Sequence, residues 1–119
     1  MKKYRTIFTA FANLDVNSIS DYIGTELGNY YAALRFVDEV EKKAASLKTM
    51  PKRHPPVRDA YRIRAVPMGN YAAFYVILEE AGEVWILRVL HKKRNWAAIL
   101  KDGAGTVWLN EDDETSSGF

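Results

Sequence analysis

The sequence has no cysteine, and only seven of its 119 residues are glycine and four are proline. The lack of cysteine excludes disulfide bonds, thiolate metal sites and cysteine nucleophiles, and it favours a reducing compartment. No run approaches the roughly 18 apolar residues that a membrane-spanning helix needs. The opening residues Met1-Lys2-Lys3-Tyr4-Arg5 do not lead into a secretory signal. We therefore expect a cytoplasmic protein that does not act at a membrane.

Motifs of the common catalytic classes are also missing. The glycines match neither the dinucleotide fingerprint nor the phosphate-binding loop. The two histidines, His54 and His91, lie 37 positions apart with no carboxylate at metal-ligand spacing. The serines fall on predicted helices or near the C-terminus, away from any catalytic triad. We therefore expect neither a metal ion nor another cofactor.

Apolar residues make up 48% of the chain, which is enough for the core of one domain. The charge is uneven along the sequence. Residues 48–101 contain eleven Lys and Arg against four acidic residues, whereas residues 102–119 contain five acidic residues and no basic one. This pattern predicts a folded domain over residues 1–101 and an acidic, flexible tail over residues 102–119. The basic part of the domain suits an anionic partner.

Apolar residues at three- and four-residue spacing predict a helical hairpin in the first half of the chain. The first helix covers residues 14–27, with Asp15 or Asn17 as the N-cap and Gly28 at its end. Asn29 is then placed to cap a second, longer amphipathic helix. The hairpin has almost no connecting loop.

Four strands are predicted around this hairpin. They cover Tyr4–Phe8, residues 61–65, Tyr71–Leu78 and Val84–Leu90. The prolines of residues 50–56 predict an extended linker, residues 67–70 and 79–83 predict turns, and a short helix is expected to reach Lys101. Helices that are separate in sequence from a small antiparallel sheet define an α+β fold.

Basic residues provide the candidate site. Alternation along the second strand places Arg62 and Arg64 on one face, and His91 and Arg94 follow the last strand. If the protein cleaves RNA, these four are the catalytic candidates, because arginine stabilises charge on a phosphate and histidine transfers protons near neutral pH. The candidate nucleic-acid or target-binding residues are Lys52, Arg53, Arg58, Lys92, Lys93 and Trp96. The alternative is an ordinary solvated strand face that ends in a histidine.

The order of these segments over residues 4–101 resembles the RelE/ParE toxins of bacterial type II toxin–antitoxin systems. The segments that carry the resemblance are the hairpin over residues 19–51, Tyr61-Arg62-Ile63-Arg64, Gly69-Asn70-Tyr71, Phe74-Tyr75-Val76 and residues 86–96. The resemblance implies a small antiparallel sheet packed by the helical hairpin. It also implies a cognate antitoxin that wraps the toxin in a tight hetero-oligomeric complex and neutralises its inhibition of growth.

Mechanism divides this family. RelE-like members cut messenger RNA in the ribosomal A site with basic residues of the sheet, whereas ParE-like members poison DNA gyrase and are not nucleases. Arg62 and Arg64 match two basic positions of the RelE pattern, and Lys92 falls near a third. However, Ala72 stands where RelE-like toxins carry an arginine after Gly-x-Tyr, and Ala98 falls near the place of their late catalytic tyrosine.

The segment Val89–Trp96 is closer to the ParE style. The resemblance therefore favours a ParE-like gyrase poison. A RelE-like, metal-independent messenger RNA endoribonuclease and an inactive antitoxin-binding module are the alternatives.

Overall fold

The computed structural model describes residues 2–57 and 60–101. In chain order, the strands and helices are β1 (Arg5–Phe8), α1 (Ala10–Asp21), α2 (Tyr30–Ser46), β2 (Pro56–Val57), β3 (Ala60–Met68), β4 (Tyr71–Leu78), β5 (Glu83–His91) and α3 (Trp96–Lys101). The five strands form one sheet in the order β1-β5-β4-β3-β2. The α+β class is confirmed. In the described part of the chain, no helix is long and apolar enough to cross a membrane.

The sheet is mixed, because β1 runs parallel to β5 while the remaining neighbours are antiparallel. A parallel pair needs a long crossover connection, and the helical hairpin α1–α2 lies on the connection that follows β1. The predicted sheet was antiparallel throughout and had four strands. The structure adds the parallel pair and the two-residue edge strand β2.

Helix α1 begins four residues earlier than its apolar spacing predicts. Thr9 is the N-cap, and its Oγ1 accepts a hydrogen bond from the amide of Ala12 at 3.1 Å. The prediction of Asp15 or Asn17 as the cap was wrong, because both residues lie inside the helix. A threonine cap before a weakly amphipathic first turn produces little periodic signal, which is why the apolar spacing predicts a later helix start.

The connection between α1 and α2 begins with a π-helical turn over Tyr22–Glu26. The chain then reverses at Gly28, whose φ is 63°. Glycine adopts this left-handed conformation without the steric cost that a side chain would add. The predicted cap Asn29 is confirmed, since its Oδ1 accepts a hydrogen bond from the amide of Ala32 at 3.0 Å. The hairpin therefore closes almost without a loop, as its sequence indicates.

Both faces of the sheet are covered. The face beneath α1 and α2 buries one apolar cluster, which includes Phe36, Val40, Val66, Ala73, Tyr75, Ile86 and Val89. The opposite face lies beneath α3 and buries a second cluster, which includes Ile63, Ala72, Phe74, Val76, Leu87, Leu90 and Leu100. We call the sheet face beneath α1 and α2 the hairpin side. The side chain of Arg64 lies on this side, because residues two apart on a strand share a face and Val66 is buried there. The second half of β3 is thus packed on both faces, because Val66 and Met68 are buried on the hairpin side, whereas Arg62 is exposed as alternation predicts.

Two proline-rich segments differ from their predictions. Pro51–Arg53 forms one turn of 3-10 helix within the predicted extended linker, and Pro51 is buried. Strand β3 continues through Pro67, where the sequence predicts a turn. Pro67 lies beyond the end of β2, so β3 has no second neighbour at this point, and a sheet tolerates proline on such an edge.

Candidate target-binding and catalytic site

Arg64 holds the backbone of the segment before β2. Its Nη1 donates hydrogen bonds to the carbonyl oxygens of His54 at 2.6 Å and Lys52 at 3.3 Å. Directly across the strand pair, the Tyr75 hydroxyl donates to the Pro51 carbonyl at 2.5 Å. These bonds fix residues 51–54 over the edge of the sheet. The Arg64 guanidinium is therefore engaged by backbone carbonyls.

Burial controls the titration of two groups beside Arg64. It raises the pKa of the Tyr75 hydroxyl to about 12. Burial also lowers the pKa of His54, and the nearby cations Arg53, Lys43 and Arg64 lower it further. The lowered pKa favours the neutral imidazole of His54, which makes it a weak electrostatic partner for an anion.

The remaining described cations at this end of the sheet lie at the surface. Lys52 Nζ pairs with Glu79 at 2.8 Å, and Lys2 Nζ pairs with the same carboxylate at 3.4 Å. The hydrogen bond between Lys52 and Glu79 raises the pKa of Lys52 and lowers the pKa of Glu79. Arg53 and Arg62 are exposed, and Arg58 lies outside the described residues. A cavity of about 420 Å³ is lined here by Lys2, Tyr4, Thr49, Met50, Pro51, Lys52 and Arg53.

His91 lies at the other end of the sheet, at the end of β5. Its ring meets the Tyr71 ring edge-on with centroids 5.1 Å apart, and Tyr71 in turn packs on Phe36 at 5.2 Å. The imidazole Nδ1 accepts a hydrogen bond from the amide of Lys93 at 3.1 Å. The neutral ring must therefore carry its hydrogen on Nε2, which leaves that atom as a donor.

Residues 91–94, which we call the basic turn, are fixed by their backbone. The Lys92 amide donates to the Asn70 carbonyl at 2.8 Å, and the Arg94 amide donates to the His91 carbonyl at 2.9 Å. Lys92, Lys93 and Arg94 are exposed. The backbone thus presents three cations and one imidazole on a defined scaffold.

A groove of about 430 Å³ opens beside the basic turn, between α1 and the end of β5. It is lined by Asp15, Ser18, Ile19, Tyr22, Tyr71, Val89, Leu90, His91 and Arg94. Sites for small ligands fall in this size range. The sequence did not point to Asp15, Tyr22 or Tyr71 as site residues. The register of β4 against β5, which pairs Tyr71 with His91, is what brings Tyr71 here.

The acidic wall of the groove is neutralised within the fold. Arg88 Nε and Nη2 donate to the two oxygens of Asp15 at 2.7 and 2.8 Å. Hydrogen bonding to Asp15 raises the pKa of Arg88 above its ordinary value. Because the two charges offset each other, His91 and Arg94 determine the electrostatic character of the groove.

Trp96 is placed for packing. Its ring stacks on Phe74 with centroids 5.7 Å apart, on the sheet face beneath α3. Ala72 is buried in the same apolar cluster, while Ala98 is exposed on α3. The predicted target-binding residue Trp96 therefore points away from the hairpin side, on which Arg64 and His91 lie.

The structure places the catalytic candidates in two groups. Arg64 pairs with Tyr75 and His91 pairs with Tyr71, so the two residues stand four positions apart along β4, roughly 13 Å at about 3.3 Å per residue. They also lie on strands that flank β4 from opposite sides. Arg94 lines the same groove as His91, whereas Arg62 lies on β3 with Arg64. Across residues 2–57 and 60–101, no group of three or more histidines and carboxylates could hold a metal ion.

A family model described as the ParE toxin of type II toxin–antitoxin systems, parDE, matches residues 6–96. The chain belongs to the ParE toxin family. The ParE match runs from the second residue of β1 through the basic turn and ends at the first residue of α3. A search of curated proteins gave no significant match.

Solved structures of toxins share this ParE fold. A chromosomal ParDE system from P. aeruginosa aligns with a TM-score of 0.64 and 17% identity, covering 75% of this chain and 96% of that one. A RelBE toxin–antitoxin complex from Mycobacterium tuberculosis aligns with a TM-score of 0.58 and 26% identity, covering 79% and 97%. A mutant of the E. coli toxin RelE in the free state aligns with a TM-score of 0.60 and 12% identity, covering 82% of this chain and 93% of that one. The resemblance to RelE/ParE toxins is confirmed, and the protein is a toxin of a type II toxin–antitoxin system.

Proposed function

We propose that this toxin poisons DNA gyrase and that it binds gyrase through the basic turn and the adjacent groove. The observation that carries the proposal is the separation of Arg64 from His91 by roughly 13 Å along the sheet. A nuclease of the RelE type needs its basic residues and its proton-transfer groups around one phosphate. The described candidates lie in two groups instead.

The state of Arg64 supports the same proposal. Its guanidinium donates to two backbone carbonyls, and its removal would release the segment that covers the edge of the sheet. Position 72 is an alanine buried beneath α3, and an alanine supplies no cation to a phosphate. A protein-docking role needs only an exposed charged surface on a rigid scaffold, which the basic turn provides.

A ribosome-dependent endoribonuclease is the second candidate, and His91 is the observation that favours it. The Nε2 donor of His91 and the side chain of Arg94 border one groove, in which a phosphate oxygen and a leaving group would fit. Both targets are cytoplasmic, in keeping with the expected location. An inactive module that only binds antitoxin remains the third alternative.

We further propose that a cognate antitoxin binds the helical hairpin. The hairpin exposes apolar side chains that a lone protein rarely leaves in water together. The most exposed of them are Leu14, Tyr22, Leu27, Tyr30, Tyr31 and Leu34. Relatives solved as toxin–antitoxin complexes, such as the one from Mycobacterium tuberculosis, support such a partner.

Purified protein tests the choice of target. It should inhibit supercoiling of relaxed plasmid by DNA gyrase and should leave messenger RNA intact on programmed ribosomes. Cleavage of the message with normal supercoiling would favour the ribonuclease. Inhibition of neither target by protein that binds its antitoxin would favour the inactive module.

A further inference from the structure

The positive charge of the basic turn is uncompensated within the described structure. The side chains of Lys92, Lys93 and Arg94 form no ion pair with any residue of 2–57 or 60–101. At the end of the sheet where β4 finishes, the carboxylate of Glu79 pairs with both Lys2 and Lys52. The three cations of the basic turn are therefore available to an anionic segment.

The groove beside the turn adds an apolar component. Ile19, Tyr22, Tyr71 and Leu90 contribute to its lining, and Tyr22 is 51% exposed. A segment that carries both an aromatic side chain and acidic residues fits this combination better than a purely acidic one.

The chain itself contains such a segment. Residues 104–119 include Val107-Trp108-Leu109, followed closely by the acidic run Glu111-Asp112-Asp113-Glu114, and they contain no Lys or Arg. The described structure ends at Lys101, the last residue of α3, and α3 begins two residues after the basic turn. Six helical residues span only about 9 Å. The ten residues from Lys101 to Glu111 reach up to roughly 33 Å when extended, which is ample to return to the turn.

We propose that residues 104–119 dock on the basic turn of their own chain, with Trp108 in the groove and the acidic run against Lys92, Lys93 and Arg94. Attachment to the same chain gives the segment a high effective concentration, so a weak contact is well populated. If the proposed function holds, on which this consequence rests, the docked segment competes with gyrase for the same surface. The acidic segment is then a built-in inhibitor of the toxin.

Paramagnetic NMR on the full-length chain tests the docking. Because the sequence has no cysteine, the substitution Ser116→Cys gives a single site for a nitroxide label. The label should cause a loss of signal at the amides of Lys92, Lys93 and Arg94 that exceeds the loss at Lys52 and Arg53. The loss should largely disappear in about 1 M salt, where charges are screened beyond roughly 3 Å.

Two matched variants carry the same label. In one, the four acidic residues 111–114 become the corresponding amides, and in the other Trp108 becomes alanine. Both should restore the signals of the basic turn. Equal signals in all three labelled proteins, or a loss centred on Lys52 and Arg53, would overturn the proposal.

Gyrase inhibition by the same proteins separates this proposal from the proposed function. The amide variant should inhibit supercoiling at a lower concentration than the unchanged chain. NMR contact without gyrase inhibition by either protein supports the docking and refutes the proposed target. Gyrase inhibition without NMR contact supports the target and refutes the docking.

Discussion

The carboxylate of Asp15 on α1 holds the guanidinium of Arg88 on β5 with two hydrogen bonds, and its Oδ2 also accepts the amide of Val89 at 2.9 Å. The register pairs Phe74 with Arg88 but Tyr75 with Ile86, so β5 contains one extra residue at this point. Such a bulge re-aims the side chains beside it. The bonds of Asp15 to Arg88 and to the Val89 amide join α1 to β5 at the wall of the groove.

We expect Asp15→Asn to lower the free energy of unfolding by about 2–4 kcal/mol, because it leaves a mostly buried guanidinium without its counterion. Only 13% of the Asp15 side chain and 19% of the Arg88 side chain are exposed. Asp38→Asn is the matched control, since it removes an exposed pair with Lys42 worth about 0.5 kcal/mol or less. Urea denaturation measures both, and equal effects would show that the Asp15 pair does not secure α1.

Tyr75→Phe should lower the free energy of unfolding by about 1–2 kcal/mol in urea denaturation, because it deprives the Pro51 carbonyl of its buried hydrogen-bond donor. Tyr31→Phe is the control, since the Tyr31 side chain is 72% exposed and its environment barely changes on folding. A Tyr75 variant as stable as the control would mean that residues 51–54 are held without this bond.

The lowered pKa of His54 predicts a loss of stability in mild acid. As the pH falls through about 6.5, the unfolded chain takes up a proton at His54 while the folded chain resists it, so unfolding is favoured. The loss levels off below the folded pKa of His54. Denaturation midpoints between pH 7.5 and pH 5 should fall less in His54→Gln than in the unchanged protein, and identical slopes would contradict the assignment.

Charge reversal at the basic turn should weaken gyrase poisoning without unfolding the protein. We expect Lys92→Glu combined with Lys93→Glu to raise the inhibitory concentration at least about tenfold, which corresponds to about 1.4 kcal/mol of binding. Lys48→Glu is the control, because Lys48 is exposed and its carbonyl accepts the amide of Tyr4, away from the basic turn. Equal inhibition by the two variants would place the gyrase contact elsewhere.

Local sequence patterns predicted much of the fold. Asn29 and Gly82 sit where a cap and a turn are required, and the structure has both in those roles. The strand predicted over Tyr71–Leu78 has the same bounds as β4. The start of α1 was missed because Thr9 precedes its apolar period, and the parallel pairing of β1 depends on a contact between distant segments.

The candidate site was less accessible from sequence. Alternation shows that Arg62 and Arg64 share a face of β3. Only the register of three strands shows that His91 lies four positions from Arg64, counted along β4. Aspartate is a residue type typical of helix caps, which is the role that the sequence predicts for Asp15. Its actual partner, Arg88, lies 73 positions later in the sequence. Contacts of this length depend on packing that no local pattern encodes.

The most direct test of the account is induced expression of the toxin without its antitoxin in a sensitive bacterium. Messenger RNA integrity and plasmid supercoiling would be followed over the first minutes. We predict intact messages together with relaxed plasmid or broken DNA. Rapid cleavage of translated messages while supercoiling stays normal would contradict a gyrase poison and would assign the groove of His91 and Arg94 to RNA.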